Sequence, residues 1–414
     1  MLAKPYLPPS PIDEGKVVVT AIESVQPLEF FPDLLLVRIH TDAGIIGHGE
    51  TYYCAEAGQA MLHDWMARRL LGEDALAIES HWRFLYERAA NFGVRGTELR
   101  ALSAIDVALW DILGQVCKQP IYRLLGGPVR DKILVYNSCG NPQYGVSNTG
   151  RKGWPGMGTV GDPGPLGDSW KLFHEPVALA EELVELGYSG LKVWPFDQAA
   201  IQYGPARIPR SAIEEGVQPL RDIRDKVGMD LDILVDGHAH FQLPAALRIA
   251  EALREVEPLW LEDMIKMDNL DTVADFRRQS RMPISVSEML LSRADYNTVL
   301  MNQAADYMMI DPISETARIA HLAQTYNVPV SMHDCTGPLT LFAGLQVGAA
   351  VANCCYQETV RAQIQTVYKE LIDTEVVING GYVDVPKGNG LGVRLNPDWF
   401  KPERSTYRIS KISS

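Results

Sequence analysis

Apolar and polar residues follow one another along this chain in two textures, and the change between them falls near residue 130. Before it, residues 17–24 (VVVTAIES), 34–40 (LLLVRIH) and 45–51 (IIGHGET) read as three strands, with Asp42-Ala43-Gly44 as a hairpin turn between the second and third. Helical periodicity follows near 56–69, 77–90 and 98–117. In the last of these Leu102, Ile105, Leu109, Ile112 and Val116 build one apolar face. Strands followed by helices predict a small α+β unit, ended by Gly126-Gly127-Pro128.

From Lys132 the texture becomes apolar strand, polar loop and amphipathic helix in repetition. Candidate strands end near Ser138, Trp194, Asp236, Glu262, Glu288, Asp311, His333 and Glu358, separated by helical stretches such as 176–187, 243–255 and 314–325. Eight such units in roughly 240 residues predict a (β/α)8-type barrel, whose functional groups sit at the C-terminal ends of its strands. A doubly wound open sheet competes, but polar residues close seven of these strands instead of gathering at one switch point. The fold class expected is therefore α/β, with three parts. An α+β capping domain spans residues 1–130, a barrel spans 131–380, and a segment over 381–414 carries turn and strand signals that return it to the capping domain. Residues 139–175 are a Gly/Pro-rich connection too long for a minimal loop, and read as a lid or an oligomer arm. They hold neither GK[ST] nor a strand-to-helix GxGxxG, so a phosphate loop is not expected there.

Composition narrows the partners. A chain of 414 residues has room for two domains and a large core. A formal net charge of -14 argues against nucleic acid and anionic membranes, which recruit basic patches. The first sixteen residues (MLAKPYLPPSPIDEGK) hold too many prolines and charges for a signal segment, and no apolar run approaches a membrane span. Cysteines 54, 117, 139, 335, 354 and 355 form no CxxC and no paired framework, which predicts reduced thiols and a cytoplasmic setting.

The candidate chemistry lies at the strand ends. Asp236, Glu262 and Glu288 close the runs ILVDGHAHF, EPLWLED and MPISVSE at two equal intervals of 26 residues. Carboxylates at the ends of three successive strands converge on one face of a parallel sheet. Three of them without a cysteine favour a hard, oxygen-preferring ion, which points to Mg²⁺ ahead of zinc. Lys192, in GLKVWPFD, either neutralises a substrate carboxylate or acts as a base beside that site.

As an ordered set, LKVW, VDGH, WLED, SVSE, IDP, SMHD and YQE resemble the enolase superfamily, and within it the acid-sugar dehydratases of the mandelate racemase subgroup. The resemblance covers nearly the whole chain, including ALWDILGQVCKQPIYRLLGG before the barrel. It implies that Asp236, Glu262 and Glu288 bind Mg²⁺, and that the substrate is a small-molecule carboxylate whose α-proton is removed to give an enediolate. Members with two bases set a Lys-x-Lys motif against a His-Asp dyad, and here Trp194 stands at the second lysine position. His333 with Asp311 resembles that dyad and is the expected base. His238 matches the histidine that galactonate- and mannonate-type dehydratases place two residues after the first metal ligand, which implies protonation of the departing β-hydroxyl; His240 is its nearby competitor. Glu358 resembles the acid that hydrogen-bonds the substrate carboxylate opposite the metal, with Lys192 as its electrostatic partner. Tyr52 and Tyr53 fall where capping-domain loops close over the site in this family, and the family implies a homo-oligomer, dimeric or octameric. The expected function is a Mg²⁺-dependent sugar-acid dehydratase. The rivals are a racemase or epimerase, a cycloisomerase, and a non-catalytic binding protein on the same fold.

Overall fold

The structure, a computed structural model, describes residues 15–28, 30–91, 93, 96–142, 164–286, 288–311, 314–404 and 406–412. Strands β1 (Val19–Val25), β2 (Leu34–Thr41) and β3 (Ile46–Tyr52) form an antiparallel meander, and the C-terminal β14 (Arg408–Lys411) adds to its edge, pairing Ser24 with Arg408. The helix Thr97–Cys117 lies across β3. Gly47 and Gly49 permit this close approach, because a Cβ on either would fall about 2 Å from the carbonyl oxygens of Ala108 and Ala104.

Eight parallel strands follow in chain order: β4 (Lys132–Ser138), β5 (Gly190–Val193), β6 (Asp232–Asp236), β7 (Trp260–Glu262), β8 (Ile284–Val286), β9 (Tyr307–Ile310), β10 (Val330–Met332) and β11 (Cys354–Thr359). Each pairs with its neighbour, and β11 pairs back to β4 through Glu358 and Tyr136, which closes the barrel. Tyr136, Leu234, Trp260 and Met309 are fully buried and fill its interior, Tyr136 meeting Trp260 edge to face at 6.0 Å. That packed floor leaves the C-terminal mouth as the place for chemistry.

Three boundaries differ from the sequence reading. Strand β8 stops at Val286, so Glu288 stands on the turn beyond it, whereas Glu358 lies inside β11. Of the long connection, residues 143–163 lie outside the described residues, but its end forms a helix, Asp168–His174. The GGYVDV region does not go straight to the cap: β12 (Ile378–Asn379) and β13 (Tyr382–Asp384) make a hairpin that extends β4 on the barrel. The loop after it reaches the cap, where Asp111 accepts from the amides of Leu391 and His48 at 2.9 and 3.0 Å.

A second tie joins the parts. Helix Pro338–Ala350 is buried along its whole length, so its first amides cannot turn to water. Glu50 of β3 supplies the acceptor, taking the Thr340 amide at 2.7 Å. Burial pushes the Glu50 carboxyl up to about 7.

Candidate active site

The mouth of the barrel collects most of the side chains singled out from the sequence. Parallel register does this: Asp236 is paired with Glu262 across β6 and β7, so both carboxylates leave the sheet at one level. Lys192 sits between them, fully buried, with Nζ donating to Glu262 Oε1 at 2.7 Å and lying 2.9 Å from Glu358 Oε1 and 3.3 Å from Asp236 Oδ2. Burial works against its ammonium, but Glu262 and Glu358 hold the pKa well above the ordinary lysine value. The second oxygen of Glu262 accepts from Trp260 Nε1 at 2.9 Å. Burial pushes Glu262 upward, against the pull of Lys192.

On one flank, β9 and β10 end in register at Ile310 and Met332, and the next residue of each, Asp311 and His333, form a pair. His333 Nδ1 lies 2.7 Å from Asp311 Oδ1, and its Nε2 lies 2.5 Å from Glu288 and 3.6 Å from Glu358. Desolvation disfavours its charge, but Asp311 and Glu288 raise its pKa well above the usual imidazole value. Burial likewise acts to raise Glu288, and His333 draws it far below the carboxylate range.

The opposite flank holds a pair that the sequence reading did not contain. His238 Nδ1 lies 2.7 Å from Asp197 Oδ2, while its Nε2 is 3.6 Å from Asp236 Oδ2. Burial lowers the His238 pKa, yet Asp236 and Asp197 push it up to about 10. Trp194 packs beside it with ring centroids 5.4 Å apart. His240 stands farther out, 6.3 Å from the His238 ring, and lines a separate cleft of about 270 Å³ with Phe241 and Lys266. Five residues around the mouth, Tyr53 and Cys54 of the cap and His238, Ala239 and Asp263 of the barrel, have left-handed backbone, with φ between 40° and 62°. Such strain concentrates where a side chain must be aimed.

From the cap, the Tyr52 and Tyr53 rings meet at a tilt of 55° with centroids 4.2 Å apart, and Arg100 lies over the Tyr53 ring at 5.1 Å. Burial raises both phenols, and the charge of Glu288 acts in the same direction on each. Cys335 also stands at the mouth, a residue that the sequence reading counts among the unpaired thiols without a role at the site. Among the described residues, the group of donor atoms all within 4.8 Å of one another is His333, Cys335 and Glu358, not the three expected metal ligands. Those three are spread among Lys192, His333 and His238. They nonetheless suit a hard divalent ion: all donors are oxygens at or just past the ends of adjacent strands, and Asp236 Oδ2 is buried without a hydrogen-bond partner among the described residues. A larger cavity of about 680 Å³ opens elsewhere, between helices Asp168–His174 and Arg210–Val227, reaching only Trp194 and Asp197 of this set.

Residues 175–399 match the family model described as enolase C-terminal domain-like. The chain belongs to the enolase superfamily. Residues 14–126 match the N-terminal domain of mandelate racemase / muconate lactonizing enzyme. A solved enolase-superfamily structure from a Sargasso Sea environmental genome superposes with a TM-score of 0.84 and 34% identity, covering 96% of this chain and all of that one. A mandelate racemase subgroup enolase from Agrobacterium tumefaciens gives 0.82 and 34%, covering 95% and 99%. Among curated relatives, D-xylonate dehydratase of Haloferax volcanii is 29% identical over 376 residues, 88% of this chain and 84% of its own. Arabinonate dehydratase of Saccharolobus solfataricus is 28% identical over 378 residues, 89% and 90%. Within this superfamily member, no helix among the described residues is long and apolar enough to cross a membrane.

Proposed function

We propose that this chain is a Mg²⁺-dependent hydro-lyase that dehydrates a sugar acid to a 2-keto-3-deoxy acid. The observation that carries the reading is the placement of two histidine-aspartate pairs, His333 with Asp311 and His238 with Asp197, on opposite flanks of the Lys192 and carboxylate cluster. Dehydration needs a base for the C2 proton and, separately, an acid for the C3 hydroxyl, because hydroxide leaves poorly without a proton. Relatives named as dehydratases of xylonate and arabinonate support the same substrate class.

Asp236, Glu262 and Glu288 would hold Mg²⁺, which when bound supplies positive charge against the substrate carboxylate. Lys192 and Glu358 bind and orient that carboxylate. His333 takes the C2 proton on Nε2, and the C–H electron pair enters the enediolate. The C2=C3 bond then forms as C3–O breaks, and the leaving hydroxyl departs as water with the Nε2 proton of His238. The enol ketonises, taking a proton at C3 and losing one from the C2 hydroxyl. Tyr52, Tyr53 and Trp194 wall the substrate, and His240 stands behind that wall. A racemase would need a second base where Trp194 stands, and the Lys192 ammonium faces three carboxylates at hydrogen-bonding or ion-pair distance, which argues against it in that role. A cycloisomerase lacks its Lys-x-Lys for the same reason. Unpaired cysteines support a cytoplasmic setting, and the family resemblance a homo-oligomer.

A screen of aldonic and aldaric acids with Mg²⁺, read as 2-keto acid by semicarbazide, tests the reading. Product from at least one acid is expected. Deuterium exchange with inversion at C2 and no keto acid from any of them would replace dehydration by epimerisation.

A further inference from the structure

The Asp197 carboxylate is held with unusual firmness for a residue just past a strand-to-helix turn. It is the first residue of helix Asp197–Tyr203, 1% exposed, and it follows Phe196, which is wholly buried. Gly216 of the helix Arg210–Val227 lets that ring in, since a Cβ there would lie 2.4 Å from it. Oδ2 meets His238 Nδ1 at 2.7 Å, and Oδ1 is buried with no hydrogen-bond partner among the described residues. His238 is fixed from its own side too. Its φ is 44°, its amide donates to Asp236 Oδ1 at 2.8 Å, and the next amide, of Ala239, donates to Asp263 O at 2.5 Å. With Nδ1 committed outward, Nε2 is the ring nitrogen on the Asp236 side, 3.6 Å from that carboxylate.

Resting on the dehydratase reading above, we propose that Asp197 is the positioning residue of His238, holding Nδ1–H so that the proton given to the departing hydroxyl always leaves from Nε2. A neutral imidazole has two tautomers, and only the one that keeps Nδ1–H can follow proton delivery from Nε2 without ring rotation. An acceptor on the other nitrogen selects it. Asp197 touches neither C2 nor the base, so its contribution falls on C–O cleavage and not on proton removal.

The experiment measures two rates on the full-length Mg²⁺-loaded enzyme, with D-xylonate, D-gluconate and D-galactonate as probes. These are keto-acid formation, and deuterium entering C2 of recovered substrate in D₂O. Asp197→Ala is expected to slow dehydration tenfold to a hundredfold, about the range for losing an orienting partner, while C2 exchange changes by no more than about twofold. Asp197→Asn, which keeps an oxygen acceptor for Nδ1–H, is expected to recover part of the loss and guards against a misfolded alanine variant. Equal slowing of both rates would mean a structural role and overturn the proposal. Unchanged dehydration in both Asp197 variants, with dehydration lost in His238→Asn, overturns the positioning role alone. Unchanged dehydration in His238→Asn overturns the acid assignment beneath it, and the positioning role falls with it.

Discussion

The two histidine-aspartate pairs look alike in distance, 2.7 Å each, and differ in how they are built. Asp311 and His333 are the residues directly after two neighbouring strands whose last residues are in register, so the barrel itself sets their contact. Asp197 and His238 also follow neighbouring strands, paired at Val193 and Val235, but they meet only where residues 194–196 lead into a helix and His238 and Ala239 take left-handed backbone. The first pair is a property of the sheet, and the second depends on two loops. A barrel can therefore keep its base while loop changes add or remove the acid, which is how one scaffold could host proton exchange and elimination as separate chemistries.

Metal removal tests what the pairs share. Chelation should silence C2 exchange and dehydration together, and Mg²⁺ should restore both; exchange that persists in a chelated sample, with metal content measured directly, would separate the base from the carboxylate site. Next in size, His333→Asn should slow both reactions by about 10²–10⁴-fold, the usual worth of a positioned base, whereas His238→Asn should leave exchange in place. Exchange lost equally in both variants would make the two pairs equivalent in proton removal. Asp311→Asn should cost both reactions about tenfold to a hundredfold, in contrast to the selective effect expected at Asp197.

The smallest effect concerns a carboxylate outside both pairs. Burial holds Glu50 near pKa 7 in the fold, above the ordinary 4.5, so the folded chain binds the extra proton and this group's contribution is full below about 4.5. Stability from this group is lost as pH rises through about 7. Glu50→Gln should therefore be more stable than the parent at pH 8, by roughly 1–3 kcal/mol, with the difference vanishing near pH 4.5. Melting curves at the two pH values check it, and a difference that stays constant with pH would mean that folding does not raise the Glu50 pKa.

Seven of the eight barrel strands are legible as apolar runs closed by a polar residue, which also reveals the carboxylates and His333, while Lys192 is legible as a cation inside the run that ends at Trp194. The strand read as ending near Glu288 stops at Val286, since period-two alternation does not reveal where a strand leaves its ladder. The acidic start of DQAAIQY did carry a signal, that of an ordinary helix beginning. Its partner could not be read, because the direction of Asp197 is set by how Phe196 packs against Gly216. Spacing rules look for paired cysteines and give Cys335 no role, since its partners are His333, two residues earlier, and Glu358 of the neighbouring strand. Helix Pro338–Ala350 has no polar face at all, so periodicity had nothing to report.

That last helix makes the barrel dependent on a foreign side chain. Its opening amide is completed by Glu50, which arrives from the other end of the sequence, 290 positions away. Shuffling caps among barrels, a natural route to new substrate preference, is thereby constrained: an incoming cap must bring its own side-chain acceptor to this spot, or the recipient must lose the helix start that lies just beyond the base.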